Sequence, residues 1–341
     1  MDNPHPEVSK FLNENVPVFK NKKVFHKETF FQRDSFPFEI LLHRGVRGKL
    51  THLDMQRDNQ AFFTVMNNSD FWREFRKYMY PGKKVGNWYT WNGTGVGASY
   101  HGYLPLIKER ESSLGFSTNA MDFAAENGHL DTVGWLHNNR EEGCTAQAMN
   151  WAAANGHLKV VKWLHLNRTE GCTKDAMNLA SGRGRLELVK WLHSNRTEGC
   201  TDEAMIWASA NGYLKVVKWL HFNRTEGCTN EAMIWAAANG HLKVVMWLHI
   251  NRTEGCGKSA MDWASGNGHL EIVKWLHFNR TEGCTTYAMD FAARGGHLEV
   301  IEWLHINREE GCTAWAMECA SDNGHLGVMK WLKENIDMFK D

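Results

Sequence analysis

The sequence predicts an all-α fold, a solenoid of stacked helix pairs behind a small helical N-terminal domain. Three observations predict it. A methionine recurs every 28 residues from Met121 to Met317 without an insertion. A tryptophan recurs at the same step from Trp135 to Trp331. Within each step the apolar residues keep helical spacing between glycines such as Gly143 and Gly156. Self-similarity at a fixed period of about 20–50 residues marks a repeat architecture.

The unit reads roughly G-C-T-x-x-A-M-x-x-A-A-x-x-G-H-L-x-V-V-K-W-L-H-x-N-R-T-E. Its first helix is expected to start after a threonine such as Thr145, Thr173 or Thr201, whose hydroxyl can accept an orphan backbone N–H. Met149, Ala152 and Ala153 follow at i, i+3 and i+4, a narrow face of mostly small side chains suited to close packing. Gly156 stands where a left-handed cap ends a helix. The second helix carries Leu158, Val160, Val161, Trp163 and Leu164, an arc wide enough to need burial by more than one neighbour. Each large apolar side chain so buried contributes about 1.5–3 kcal/mol, but a single unit cannot hide its own face. Asn-Arg-Thr-Glu-Gly closes the unit as a turn. The recurring position accounts for eight of the 16 tryptophans.

The run A-A-x-x-G-H-L-x-V-V-K-W-L resembles the centre of the ankyrin repeat, A-A-x-x-G-H-x-x-V-V-x-x-L-L. The ankyrin period of about 33 and its T-P-L-H opening are replaced by a step of 28 and Thr-x-x-Ala-Met. The missing residues fall where an ankyrin unit makes its projecting β-hairpin. With its N-R-T-E-G-C-T connector, the unit resembles ankyrin variants of giant viruses and oomycetes, from about Gly115 to Trp331. The resemblance implies an ankyrin-like solenoid whose first helices line a groove that grips partner proteins.

Residues 101–341 are read as the array, a capping half-repeat plus eight units. Gly102-Tyr103-Leu104 with Leu106-Ile107-Lys108 is similar to Gly212-Tyr213-Leu214 with Val216-Val217-Lys218, and a terminal repeat needs an atypical outer face. Residues 81–100 are expected to be a linker, 36–80 a helical domain and 1–35 an extension. Phe36-Pro37-Phe38-Glu39-Ile40-Leu41 resembles the L-P-x-E-I-L opening of an F-box. Leu50-Thr51-His52-Leu53-Asp54 is similar to its L-S-x-x-D-L element, and Asn68-Ser69-Asp70-Phe71-Trp72-Arg73 to its D-x-x-L-W-R close. Gln60-Ala61-Phe62-Phe63 replaces the usual Cys-Lys. The resemblance implies docking on the Skp-type adaptor of a cullin-RING (SCF-type) ubiquitin ligase through Pro37, Ile40, Leu41, Leu50, Leu53, Phe71 and Trp72. The alternative is a plain helical cap.

Composition narrows the function. A formal net charge of zero with 23% charged residues does not suit a general polyanion binder. No stretch approaches the ~20 apolar residues of a spanning helix, and Met1–Lys10 lacks the pattern of a secretory leader. A cytoplasmic, soluble protein is expected, with the nucleus as second compartment. Seven of the eight cysteines recur at the 28-residue step. Stacked helices stand roughly 8–10 Å apart, beyond the ~7 Å limit for a disulfide, so these are read as reduced core thiols. The histidine that follows the glycine gives way to Arg185 and Tyr213 in two units, a replacement no metal ligand tolerates. Gly93-Thr94-Gly95-Val96-Gly97 lacks the Lys-Ser/Thr of a phosphate loop and is read as linker. No nucleophile elbow or dinucleotide motif is present. Neither catalysis, metal nor cofactor is expected.

Binding residues are sought where near-identical units differ. With the Met of each unit numbered 0, variation concentrates at −3, −2, +1 and +5. At about 100° per residue, −2, +1 and +5 share one stripe opposite the Met and Ala positions, expected to face outward. The stripe carries nine acids against one base. The candidate groove residues are Asp122, Asn150, Asn178, Glu203, Ile206, Glu231, Ile234, Asp262, Tyr287, Asp290, Trp315 and Glu318. They suit a partner protein with a basic, partly apolar surface, held by a monomer. On this phase, Ile206→Arg with Ile234→Arg weakens partner binding without lowering the melting temperature. The alternatives are a binding or decoy protein with no ubiquitin link, and weak, salt-sensitive nucleic-acid contact through second-helix lysines such as Lys159, Lys162, Lys190, Lys215, Lys218 and Lys243.

Overall fold

The computed structural model describes residues 95–109, 112 and 114–340, all within the unit Thr94–Asp341. The F-box-like segment 36–80, with its seven docking candidates, lies outside the described residues.

Among the described residues there are eighteen α-helices and no strand. A capping pair, α1 (Gly95–Tyr100) and α2 (Leu104–Glu109), precedes eight units. The first helices are α3 (Asn119–Glu126), α5 (Ala146–Asn155), α7 (Asp175–Gly182), α9 (Glu203–Ala210), α11 (Glu231–Ala238), α13 (Ser259–Gly266), α15 (Tyr287–Gly295) and α17 (Ala314–Asp322). The second helices are α4 (Leu130–Asn139), α6 (Leu158–Asn167), α8 (Leu186–Asn195), α10 (Leu214–Asn223), α12 (Leu242–Asn251), α14 (Leu270–Asn279), α16 (Leu298–Asn307) and α18 (Leu326–Asn335).

The expected punctuation is present. Thr145 Oγ1 accepts from the Gln147 backbone N–H at 3.1 Å, and Thr313 Oγ1 from Trp315 N–H at 3.2 Å, each satisfying one orphan donor. Gly156 ends α5 at φ 92°, a left-handed conformation that a side chain would oppose. The Met, Ala, Val and Leu of each unit form the core, with Met149, Ala152, Ala153, Val161 and Leu164 all buried. First helices pack chiefly on the first helices of the units before and after, and on their own second helix. The alanine face permits that close approach.

In place of a hairpin finger each junction carries a short polar connector. Asn167 Nδ2 donates to the Trp163 carbonyl at 2.8 Å and caps α6, so the repeated Asn-Arg-Thr is a turn here. The Arg168 guanidinium holds the Glu170 carboxylate and donates from Nη1 to His137 Nδ1 of the preceding unit at 3.3 Å. The same arrangement recurs up to Arg308, Glu310 and His277. His137 also meets the Trp163 ring edge-on at 5.2 Å. The histidine after the glycine lies across the same junctions. The His157 ring sits where a Cβ on Gly128 would fall, and Arg185 and Tyr213 occupy the equivalent places against Gly156 and Gly184. His129 Nε2 is 3.1 Å from the Tyr100 carbonyl. The cysteines are unpaired, and burial pushes the thiols of Cys144 and Cys284 up to about 12.

One boundary is corrected. The expected linker 81–100 is helical from Gly95 to Tyr100, with Val96, Ala98 and Ser99 buried. Ala98 and Ser99 stand before Gly102 as Ala124 and Ala125 stand before Gly128. The capping element is therefore a full helix pair that begins upstream of 101, and Gly95–Gly97 is its first turn rather than a loop.

Candidate functional site

The expected outward stripe divides into three rows with different fates. Position +1 points into the junction with the following unit. Asp122, Asn150, Asn178, Asp262 and Asp290 are buried, and each clasps the capping threonine of the next unit. Asp122 Oδ1 accepts from the Thr145 N–H at 2.8 Å and Oδ2 from Thr145 Oγ1 at 2.7 Å. Asn150 accepts from the Thr173 N–H at 3.0 Å and donates to Thr173 Oγ1 at 2.9 Å. Burial raises the Asp122, Asp262 and Asp290 carboxyls above their ordinary range, against the lowering effect of the bonds from Thr145, Thr285 and Thr313.

In the middle of the array isoleucine replaces the clasp. Ile206 is only 6% exposed, and Ile234 is half-buried. This corrects the phase for this row. Its side chains are seam residues, and the Ile206→Arg and Ile234→Arg pair would drive cations into the seam and lower stability. Glu318 belongs to the last unit and stays exposed.

Position +5 is Ala or Gly from Ala154 to Gly266, where the next unit crowds it, while Glu126, Arg294 and Asp322 keep long or charged side chains there. A Cβ on Gly182 would lie 2.9 Å from Trp207 Cβ, and one on Gly266 would lie 2.7 Å from Phe291 Cβ. Position −2 does face outward. Glu203 and Glu231 are exposed, as are Tyr287 at 53% and Trp315 at 37%.

The row that accompanies −2 is +2, one helical turn on, outside the candidate groove residues. It reads Phe123, Trp151, Leu179, Trp207, Trp235, Trp263, Phe291 and Cys319. Phe123 and Trp151 stack at 5.7 Å with planes 6° apart. Trp235 and Trp263 stack at 6.5 Å, and Trp263 and Phe291 at 5.0 Å. Tyr287 at −2 stacks on Phe291 at 5.2 Å, and Trp315 meets Phe291 edge-on at 5.8 Å. Trp235 and Trp263 each keep 42% of their surface exposed. The first helices thus present an aromatic rail, with Glu203 and Glu231 a turn away from Trp207 and Trp235. Aromatic rings offer large contact area and a negative face to cations. The carboxylates set the same electrostatic preference.

The signal for the rail was in the sequence. Trp151, Trp207, Trp235 and Trp263 share one position of the 28-residue step, and the recurring series from Trp135 to Trp331 leaves them unexplained.

Among the described residues no group of three or more His, Cys, Asp or Glu side chains is placed to hold a metal ion, and no helix is long and apolar enough to cross a membrane. A model of three ankyrin repeats matches residues 149–230 and 205–286, and a model of many ankyrin repeats matches residues 121–165. The search of curated proteins returned no match.

Proposed function

Since this chain is an ankyrin-repeat protein, built on a scaffold for protein–protein interaction, we propose that its aromatic rail holds a basic, partly apolar segment of a partner protein. The observation that carries this reading is the stacked, half-exposed pair Trp235 and Trp263 beside the exposed Glu203 and Glu231. An arginine or lysine laid on an exposed ring gains about 0.5–2 kcal/mol, and neighbouring carboxylates strengthen its attraction. Ankyrin repeats are typically without enzymatic activity, and the reading asks for none. The buried thiols suit a reducing, cytoplasmic setting.

Trp235→Ala with Trp263→Ala is expected to weaken capture of the partner from cell extract by the full chain. Two lost cation–π contacts correspond to roughly fivefold to several hundredfold. The melting temperature should fall by only a few degrees, since much of each ring already faces water. Undiminished recovery of the same partner by the double variant would place the binding face elsewhere.

The finer form of the proposal makes the chain a substrate adaptor, with residues 36–80 docking a Skp-type protein through Pro37, Ile40, Leu41, Leu50, Leu53, Phe71 and Trp72. Its support is the F-box resemblance alone. The full chain should then retain a Skp-type adaptor in a pull-down, and Leu41→Asp with Trp72→Ala should abolish retention. No retention by the unaltered chain would leave the binding or decoy role without a ubiquitin link.

A further inference from the structure

A second row of large apolar side chains lies on the other helix of the unit, where no neighbour among the described residues covers it. It occupies the position before the last residue of the second helices, 17 residues after the Met. Leu166 is 80% exposed, Phe222 72%, Ile250 76%, Phe278 74% and Ile306 79%. Side chains this exposed contribute little to the fold. Single exposed hydrophobes are ordinary, but a line of them in the consecutive units of Phe222, Ile250, Phe278 and Ile306 is not.

Simple copying of the repeat does not explain the row. The flanking residues are almost unchanged from unit to unit, a histidine before and an asparagine after. This position is Leu, Phe or Ile in five of the eight units, so its residue changes while a large apolar side chain is kept from Phe222 to Ile306. The row is interrupted by Ser194 and bounded by Asn138 and Glu334, so it has two ends.

Lysines run alongside it. Lys159 and Lys162 precede Leu166 by seven and four residues, and Lys215 and Lys218 precede Phe222 in the same way. Such positions fall on one face of a helix. Glu187 and Glu271 on this face are each taken up by a lysine of their own helix, Lys190 at 2.9 Å and Lys274 at 3.2 Å. Lys159, Lys162, Lys215, Lys218 and Lys243 are exposed and have no ion-pair partner among the described residues.

We infer that this outer face is a second docking surface, distinct from the aromatic rail, and that it takes an acidic amphipathic helix of a partner protein. Two observations select that occupant. The uncompensated charge beside the apolar row is positive from α6 to α12, which calls for acidic residues. The row is one side chain wide and advances once per unit, about 8–10 Å between packed helices. A helix laid across the units rises about 10.5 Å per heptad, so one apolar residue per heptad meets one side chain per unit. An anionic bilayer fits less well, because it would lie over the whole face, where Glu299 and Glu302 stand beside the exposed Ile306, whereas a helix need only span α6 to α14.

The test uses the full chain and a fluorescent synthetic helix of four heptads, with one leucine per heptad flanked by glutamates. A control peptide has the same composition with the leucines scrambled. Saturable binding that weakens with salt is expected, and the scrambled peptide should bind about tenfold more weakly or worse. Phe222→Ser with Ile250→Ser and Phe278→Ser should cost at least about tenfold, as should Lys215→Glu with Lys218→Glu. These side chains are exposed, so circular dichroism should be unchanged. Trp235→Ala with Trp263→Ala should bind the acidic helix as the unaltered chain does, which separates this surface from the rail. Equal binding of ordered and scrambled peptides, or no saturable binding, overturns the inference. So does sedimentation with phosphatidylserine vesicles that depends on Ile250 when the peptide fails to bind.

Discussion

Leu248→Ala is expected to split the unfolding of the array into two transitions. Leu248 is 1% exposed in α12, in the fifth of eight units. Removing a buried leucine side chain costs about 2–5 kcal/mol, the loss growing with the cavity left behind. In a compact domain that loss would lower one cooperative transition. Here the main packing contacts join a helix only to its partner and to the units before and after. Stability is then close to a sum of unit terms and junction terms. A defect in the middle uncouples the units on either side, and each half unfolds on its own curve. Leu332→Ala is the matched control, since Leu332 is fully buried in the last second helix. It removes the same atoms and should fray only α17 and α18. Urea unfolding followed by circular dichroism, with amide exchange to locate the early opening, separates the two. Indistinguishable curves for the two variants would contradict a one-dimensional array.

That architecture also explains which parts of the sequence could be read in advance. The helix pairs were legible because capping threonines, left-handed glycines and buried Met, Ala, Val and Leu recur with each unit. The groove was only half legible, and the reason is geometric. A helical wheel treats the side opposite the core as open to water. A first helix in a stack has a sister on each side, so its open arc is much narrower. Position +1 is turned against the next connector, where Asp122 meets Thr145 at 2.7 Å and 2.8 Å. Position +5 is roofed by the next unit's ring, as Gly182 is by Trp207. Variation at these two rows records how each junction is closed. Variation at −2, where Glu203 gives way to Tyr287 and Trp315, lies on the surface. The rail at +2 is not legible in one unit, because aromatic residues at helical spacing are more often core than surface, and the pattern of one unit cannot show that its neighbours leave them half exposed. The outer row at Leu166 and Phe222 is a different case. At about 100° per residue its position falls outside the apolar arc of the second helix with Lys159 and Lys162, and there the exposure follows. What one unit does not show is that the large apolar residue repeats along the stack.

The clasp at +1 yields the second prediction, on substituting Asp262. Its carboxylate accepts from the Thr285 N–H and Oγ1, both at 2.8 Å, while Thr285 Oγ1 accepts in turn from the Tyr287 N–H at 3.1 Å. One side chain of the sixth unit thereby fixes the start of α15 in the seventh. Asp262→Ala leaves both Thr285 donors without an acceptor in the seam, a loss of about 1–3 kcal/mol. Asp262→Asn should behave in the opposite way. Asn178 shows that an amide fits the position, accepting from the Thr201 N–H at 3.0 Å and donating to Thr201 Oγ1 at 2.8 Å. Asparagine keeps both bonds and removes a charge whose burial is costly. Burial holds the Asp262 carboxyl above its ordinary range, so the folded chain takes up this proton more readily than the unfolded one. The stability linked to it is complete below the ordinary carboxylate value and is lost as pH rises through the raised folded value. At neutral pH Asp262→Asn should therefore melt at or above the unaltered chain, and its advantage should shrink as the pH is lowered through the carboxylate range. Comparing variant with parent at each pH cancels the opposite slope from His157, His241 and His297, whose imidazoles burial holds below their usual value. An asparagine variant as damaged as the alanine variant at neutral pH would mean that the charge, and not the pair of hydrogen bonds, closes the junction.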